Sequence, residues 1–221
     1  MEVGVFGKLP TRRDYVQQGL DRRLMEVLDP WLQNGVAASR EALGEGWLDA
    51  WLCAPIWRFW LGRRIAGRTA LGAMMPSVDG VGRYFPLCVI GSAERLAPPE
   101  MDDHAGWFDA VETLMLAALA EGGSYEPLLA GLETLPAAGR SPAPAGSAQS
   151  GGVSEQFSVL RAEMQDEILE DHSCWWVPSP DGVQPIRALI RRGMPEAGEY
   201  ADLILQNAMT EPLPVASAGA G

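Results

Sequence analysis

The chain has 221 residues, 47% of them apolar, and sets 17 Lys and Arg against 29 Asp and Glu for a net charge of −12. That length holds one large domain or two small ones around a real core, and the charge disfavours nonspecific attraction to nucleic acid or anionic lipid. Charged residues or glycine break the apolar runs well before the roughly 20 residues a spanning helix needs. No basic segment precedes an apolar one at Met1, so the expectation is a soluble, cytoplasmic protein with no direct membrane insertion.

Glu2 to Phe6 alternates in an apolar-biased run that ends at Gly7 and Pro10, which predicts a first strand and then a loop to about Gln18. Leu24, Val27, Leu28, Trp31, Leu32 and Val36 recur at helical spacing. They predict one or two helices over Asp21 to Leu43, with Asp29-Pro30 as a kink or a second helix start. Gly44 and Gly46 break the pattern, and Trp47, Leu48, Trp51 and Leu52 predict a short amphipathic helix that stops before Pro55. Ile56 to Leu61, Leu71 to Met75 and Leu87 to Ser92 read as strands, so Pro76 to Leu87 joins two of them. Within that loop Asp79-Gly80 and Gly82 tolerate tight turning, and Arg83 offers a planar donor fork near the Asp79 carboxylate.

Trp107, Phe108, Val111, Leu114, Met115, Ala118 and Leu119 predict a helix over Asp102 to Glu121, capped by Asp102 or Asp103. Tyr125 to Leu135 reads as another short helix, and Pro136 to Gly152, rich in Ala, Gly, Ser and Pro, as a flexible linker. Phe157, Leu160, Met164 and Ile168 repeat as on a helix. Ser173 to Val177 and Ile186 to Ile190 read as strands joined by a Pro-Asp-Gly turn, and Pro195 opens a last helix through Gln206. The sum is an α+β fold: about six strands in a mostly antiparallel sheet flanked by helices, a single domain over 1–211, and a frayed tail over 212–221.

The chemistry is sparse. Cys53, Cys88 and Cys174 are widely spaced and odd in number, which fits buried thiols in a reducing compartment. Gly4-Val5-Phe6-Gly7-Lys8 brings a phosphate loop to mind, but only two residues separate its glycines and Leu9 follows the lysine, so the spacing fails. A nucleophile would be Ser77 with Asp79 and His104 or His172, or Cys174 beside His172. Ser77 lacks the G-x-S-x-G elbow, and His104 reads as a solvated residue in the first turn of a helix. The cysteines and histidines form no metal-ligand pair, so neither metal nor cofactor is expected. Trp47, Trp51, Trp57 and Trp60 crowd one segment, with core packing favoured over an exposed aromatic surface.

These pieces in this order resemble the TagF (ImpM) family of type VI secretion accessory proteins. The resemblance runs from Gly7-Lys8-Leu9-Pro10 through Asp14-Tyr15, Trp31-Leu32-Gln33, Ser39-Arg40, Leu43-Gly44 and Trp47 to Leu52. It continues over Ala54-Pro55-Ile56-Trp57-Arg58-Phe59 and culminates in Pro76 to Leu87. One departure is Arg13 where the family pattern has Gly before the Asp. The resemblance implies a longin-like sheet flanked by helices and a cytoplasmic, post-translational repressor of type VI secretion. It implies no enzymatic activity and a partner in the forkhead-associated scaffold protein of the secretion machine. Asp14, Arg58, Asp79 and Arg83 are the candidate partner-binding residues, with a loop-fixing salt bridge as their other reading. A hydrolase using Ser77 or Cys174, and a structural subunit of the secretion apparatus, are the alternatives.

Overall fold

The computed structural model describes residues 1–99, 104–120, 123–138, 169–178 and 187–205. Among these, seven strands form one sheet: β1 (Glu2–Gly7), β2 (Val16–Gln18), β3 (Trp57–Leu61), β4 (Thr69–Met75), β5 (Leu87–Ala93), β6 (His172–Val177) and β7 (Arg187–Arg192). Their order is β2-β1-β5-β4-β3-β6-β7, and every pairing is antiparallel. β3, β4 and β5 are a meander at the centre. β1 closes on one side of it, pairing Val5 with Val89, and β6 on the other, pairing Phe59 with Trp175.

Six helices accompany the sheet among the described residues: α1 (Arg22–Leu43), α2 (Trp47–Cys53), α3 (Arg63–Ala66), α4 (Ala105–Leu119), α5 (Tyr125–Glu133) and α6 (Tyr200–Ile204). Neighbouring strand residues go to opposite faces, as the two-residue period of a strand requires. Phe6, Phe59, Ile90 and Trp175 pack with Leu28 and Leu32 of α1, Trp51 of α2 and Tyr200 of α6. Val5, Trp60, Val89 and Trp176 pack with Trp107, Phe108, Val111 and Met115 of α4. Since both faces are covered, all seven residues of β4 are buried, and the strand reads as a continuous apolar run rather than an alternating one.

Asp21 starts α1 by accepting from Arg23 N at 2.7 Å and Leu24 N at 3.4 Å. The helix then runs unbroken through Pro30. Pro30 removes one intrahelical donor, and both it and Glu26, four residues earlier, lie on the exposed side where water reaches the freed carbonyl. Trp31 Nε1 donates to Pro195 O at 2.7 Å and ties α1 to the chain near α6.

Several expectations change. The segment that the pattern assigns to a loop contains β2, which is three residues long with one buried side chain, Val16, and so carries no alternation. α3, four residues long, is too short to show a helical period. His104 is not a solvated first-turn residue. It is the N-cap of α4, in the left-handed region at φ 50°, 2% exposed, with Nε2 2.9 Å from Ala97 O. The last helix is shorter at its start, because Ala197–Glu199 is a 3₁₀ turn held by reciprocal Glu196 and Glu199 bonds. Asp102 and Asp103, the linker beyond residue 138, the helix over 157–168, the 179–186 turn and the tail lie outside the described residues.

At the centre of the sheet, a Cβ on Gly72 would run into the Phe59 ring and stand 2.8 Å from Val89 O. The second neighbour is backbone and cannot rotate away. Gly72→Ala is expected to cost about 1–3 kcal/mol of stability by overpacking, read from the midpoint of urea unfolding.

Candidate functional site

The loop between β4 and β5 is closed by its own backbone. Val78 and Tyr84 form a single antiparallel bridge. Asp79 N donates to Arg83 O and Gly82 N to Asp79 O, both at 3.0 Å, and Phe85 N donates to Ser77 O at 3.1 Å. Gly82 takes the left-handed conformation at φ 85° that completes the turn. Inside it, the Asp79 carboxylate accepts four bonds. Oδ1 takes Val81 N at 3.0 Å and Arg83 N at 2.9 Å, and Oδ2 takes Arg83 Nε at 2.6 Å and Lys8 Nζ at 2.9 Å.

Lys8 and Asp79 are both buried, at 5% and 3% exposure, although 71 positions separate them. Gly7, with φ 134° and no room for a Cβ against Pro86, lets β1 end hard against the start of β5, and Lys8 follows directly. Burial alone would raise the Asp79 carboxyl. The bonds from Lys8, from the backbone and side chain of Arg83 and from Val81 outweigh it and hold the group well below the usual carboxylate range. The ammonium is therefore engaged inward, which agrees with the failed phosphate-loop spacing of Gly4 to Lys8.

Neighbouring segments are tied to this pair. Ser77 Oγ donates to Lys8 O at 2.7 Å and Gly80 N to Arg12 O at 2.8 Å. The Arg83 guanidinium donates to Arg13 O, and Trp51 Nε1 of α2 donates to Ser77 O at 3.3 Å. Tyr15 stacks on Phe6 and meets Phe85 edge-on at 4.9 Å between ring centroids. Farther along α2, Trp47 Nε1 donates to Ser39 Oγ at 2.9 Å, and the Arg40 guanidinium lies 4.2 Å from the Trp47 ring centroid. All four clustered tryptophans, Trp47, Trp51, Trp57 and Trp60, are buried, which makes them core.

Of the candidate residues, the structure brings Asp79 and Arg83 together and adds Lys8, which sequence reading did not connect to them. Asp14 is exposed in the adjoining turn and makes no ion pair among the described residues. Arg58 belongs to a different cluster on β3, where it pairs with Asp109 and Glu112 of α4 and lies 5.0 Å from the Phe108 ring centroid. Ser77 is 6% exposed with its hydroxyl committed to a carbonyl. His172 Nδ1 stands 2.8 Å from Asp171 Oδ1, outside hydrogen-bonding geometry. Cys174 is 1% exposed, and burial pushes its thiol up, so it is protonated at neutral pH. Among the described residues, no group of three or more His, Cys, Asp or Glu is placed to hold a metal ion, and no helix is long and apolar enough to cross a membrane.

The pattern of the TagF N-terminal domain, described as type VI secretion system-associated, matches residues 4–135. The chain belongs to this family. The matched span contains Lys8, the 11–15 turn, α2 and the whole Pro76 to Leu87 loop, so the family pattern and the Lys8–Asp79 cluster coincide. The crystal structure of PA0076 from Pseudomonas aeruginosa PAO1 is similar at 30% identity and a TM-score of 0.75, over 96% of this chain and 97% of that one. That likeness extends the family fold past residue 135 through β6, β7 and α6, and it has the same α+β architecture. No curated protein matches the chain.

Removing one member of a buried ion pair strands the other. Asp79→Ala is expected to cost about 3 kcal/mol in chemical denaturation, and Lys8→Met less, because Asp79 keeps Arg83 and two amides. The folded carboxyl is depressed, so its contribution is present above the unfolded value near pH 4 and is lost as pH falls below it. Asp79→Asn should flatten the fall in stability below about pH 4. Alkylation of the native protein should modify the exposed Cys53 while Cys88 and Cys174, buried with raised thiols, react only on unfolding, as mass spectrometry would show.

Proposed function

We propose that this protein is a cytoplasmic, post-translational negative regulator of type VI secretion that acts by binding the forkhead-associated scaffold of the secretion machine. The observation that carries the reading is the family match over 4–135, within which the family's sequence pattern and the Lys8–Asp79 cluster fall on the same segments. The arrangement favours binding over chemistry. Its polar groups satisfy one another, its hydroxyl is engaged, and its loops are pinned into a fixed surface, which lowers the ordering cost of meeting a partner.

Asp79 and Lys8 act in this reading as the frame, and the exposed residues around them as the contact. Arg58 secures α4 to the sheet. The test is made in cells that carry the secretion system. Deleting the gene raises secretion and overproducing the chain lowers it, measured by release of the system's tube protein into the medium, and the purified chain retains the scaffold in a pull-down. Loss of secretion on deletion would instead make the chain a structural subunit. Unchanged secretion on overproduction with an empty pull-down would end the regulatory reading.

A further inference from the structure

Six large apolar side chains are notably exposed among the described residues, and two of them, Tyr15 at 48% and Val81 at 53%, sit on the turns that Lys8 and Asp79 hold together. Two more, Leu48 and Leu52, lie on α2, whose Trp47 and Trp51 pack toward the same loop through Tyr84 and Ser77. These groups are not loosely hung. The Tyr15 ring is fixed by Phe6 and Phe85 and has Lys8 Nζ 5.0 Å from its centroid, while Val81 N is bonded to Asp79. Rigid, half-exposed aromatic and aliphatic groups beside arginines are the composition of binding hot spots.

The two turns carry an excess of cations, while the Asp29 carboxylate of α1 lies close enough to Tyr15 to add to burial in raising its phenol. Residues 8–15 and 79–84 carry the cations Lys8, Arg12, Arg13 and Arg83 against the carboxylates Asp14 and Asp79, whereas the whole chain stands at −12. Lys8 and Asp79 cancel each other inside the protein, and Arg12 pairs with Glu126 at 2.7 Å. What faces outward is Arg13, exposed and without an ion pair among the described residues, and Arg83, whose side chain remains 59% exposed while Asp79 holds its Nε. Asp14 is exposed beside them.

We propose that the surface centred on Arg13, Tyr15, Val81 and Arg83 docks an acidic segment of a partner protein that also presents an apolar side chain. Arg13 and Arg83 receive the carboxylates, and Tyr15 with Val81 receives the apolar group. The proposal deepens the regulatory reading and rests on it only for the identity of the partner.

The test uses the whole chain and a fluorescent peptide of alternating Glu and Leu, with its Lys and Leu counterpart as control, titrated by anisotropy at low and high salt. The acidic peptide binds at low salt, weakens as salt rises, and loses about tenfold in affinity on Arg13→Glu or Val81→Asp, while the basic peptide is not weakened by either. Both positions are exposed and outside the Lys8–Asp79 pair, and thermal melting checks that the variants fold. Arg13→Gln replaces the reversal should it disturb the turn. No binding of the acidic peptide, or binding that ignores both substitutions, overturns the proposal. The same variants are then titrated against the scaffold. A scaffold that binds wild type and variants equally discards this surface and leaves the regulatory reading standing. A scaffold that ignores the wild-type chain while the acidic peptide binds discards that reading and leaves the surface.

Discussion

A lysine ammonium and an aspartate carboxylate buried against each other, 71 positions apart in the chain, set the geometry of one end of the molecule, inside the span that the family pattern matches. Desolvating two charges is costly, and it is tolerated here because Asp79 also receives Arg83 and two backbone amides, leaving none of its acceptor capacity idle. That full coordination turns a flexible glycine-containing loop into a fixed one. Ser77, Gly80, Arg83 and Trp51 then carry the constraint outward to β1, to the 11–15 turn and to α2. The carboxylate itself joins Lys8 to the loop, and the backbone around it adds the 11–15 turn and α2.

The sheet supplies the platform for this piece. With α1, α2 and α6 on one face and α4 on the other, its central strands have no solvent side, and the aromatic residues that crowd positions 47–60 are used up in filling those two layers. The N–H groups of Trp107 and Trp175 are buried without a hydrogen-bond partner among the described residues, but four other tryptophans use theirs to tie segments together. Trp31, Trp47, Trp51 and Trp57 each find an oxygen, three of them on backbone carbonyls of distant segments. The aromatic content is therefore both packing volume and long-range stitching.

Much of this was legible in the residues. α1 and α4 repeat apolar side chains at helical spacing over many turns, so their period outweighs a proline or an uncertain cap. The strands around Pro76 to Leu87 stood out because turn formers bracket them, and the Asp79–Arg83 pairing was visible because four positions separate the two. Lys8 was not visible as their partner. Its neighbours Gly4 and Gly7 drew it toward a phosphate-loop comparison, and nothing local marks a contact made across 71 positions. β2 escaped notice because three residues cannot display a period, and His104 because a histidine in the first turn of a helix looks solvated until its ring is seen to reach back to Ala97. The family resemblance, drawn from motifs in the first ninety residues, agrees with the match over 4–135.

β3 lies between β4 and β6, so one flank of the central meander is closed by chain from beyond residue 135. Phe59 leans on Trp175, Trp31 on both Trp175 and Tyr200, and Trp57 donates to the Leu203 carbonyl. The point where the family pattern stops is thus a seam in sequence only. A fragment cut there would bare the flank of β3 and strip the cover from the tryptophans beneath α1, leaving an unpaired edge ready to recruit another strand. The segments from β6 to α6 are the keystone of a structure whose matched family pattern ends at residue 135.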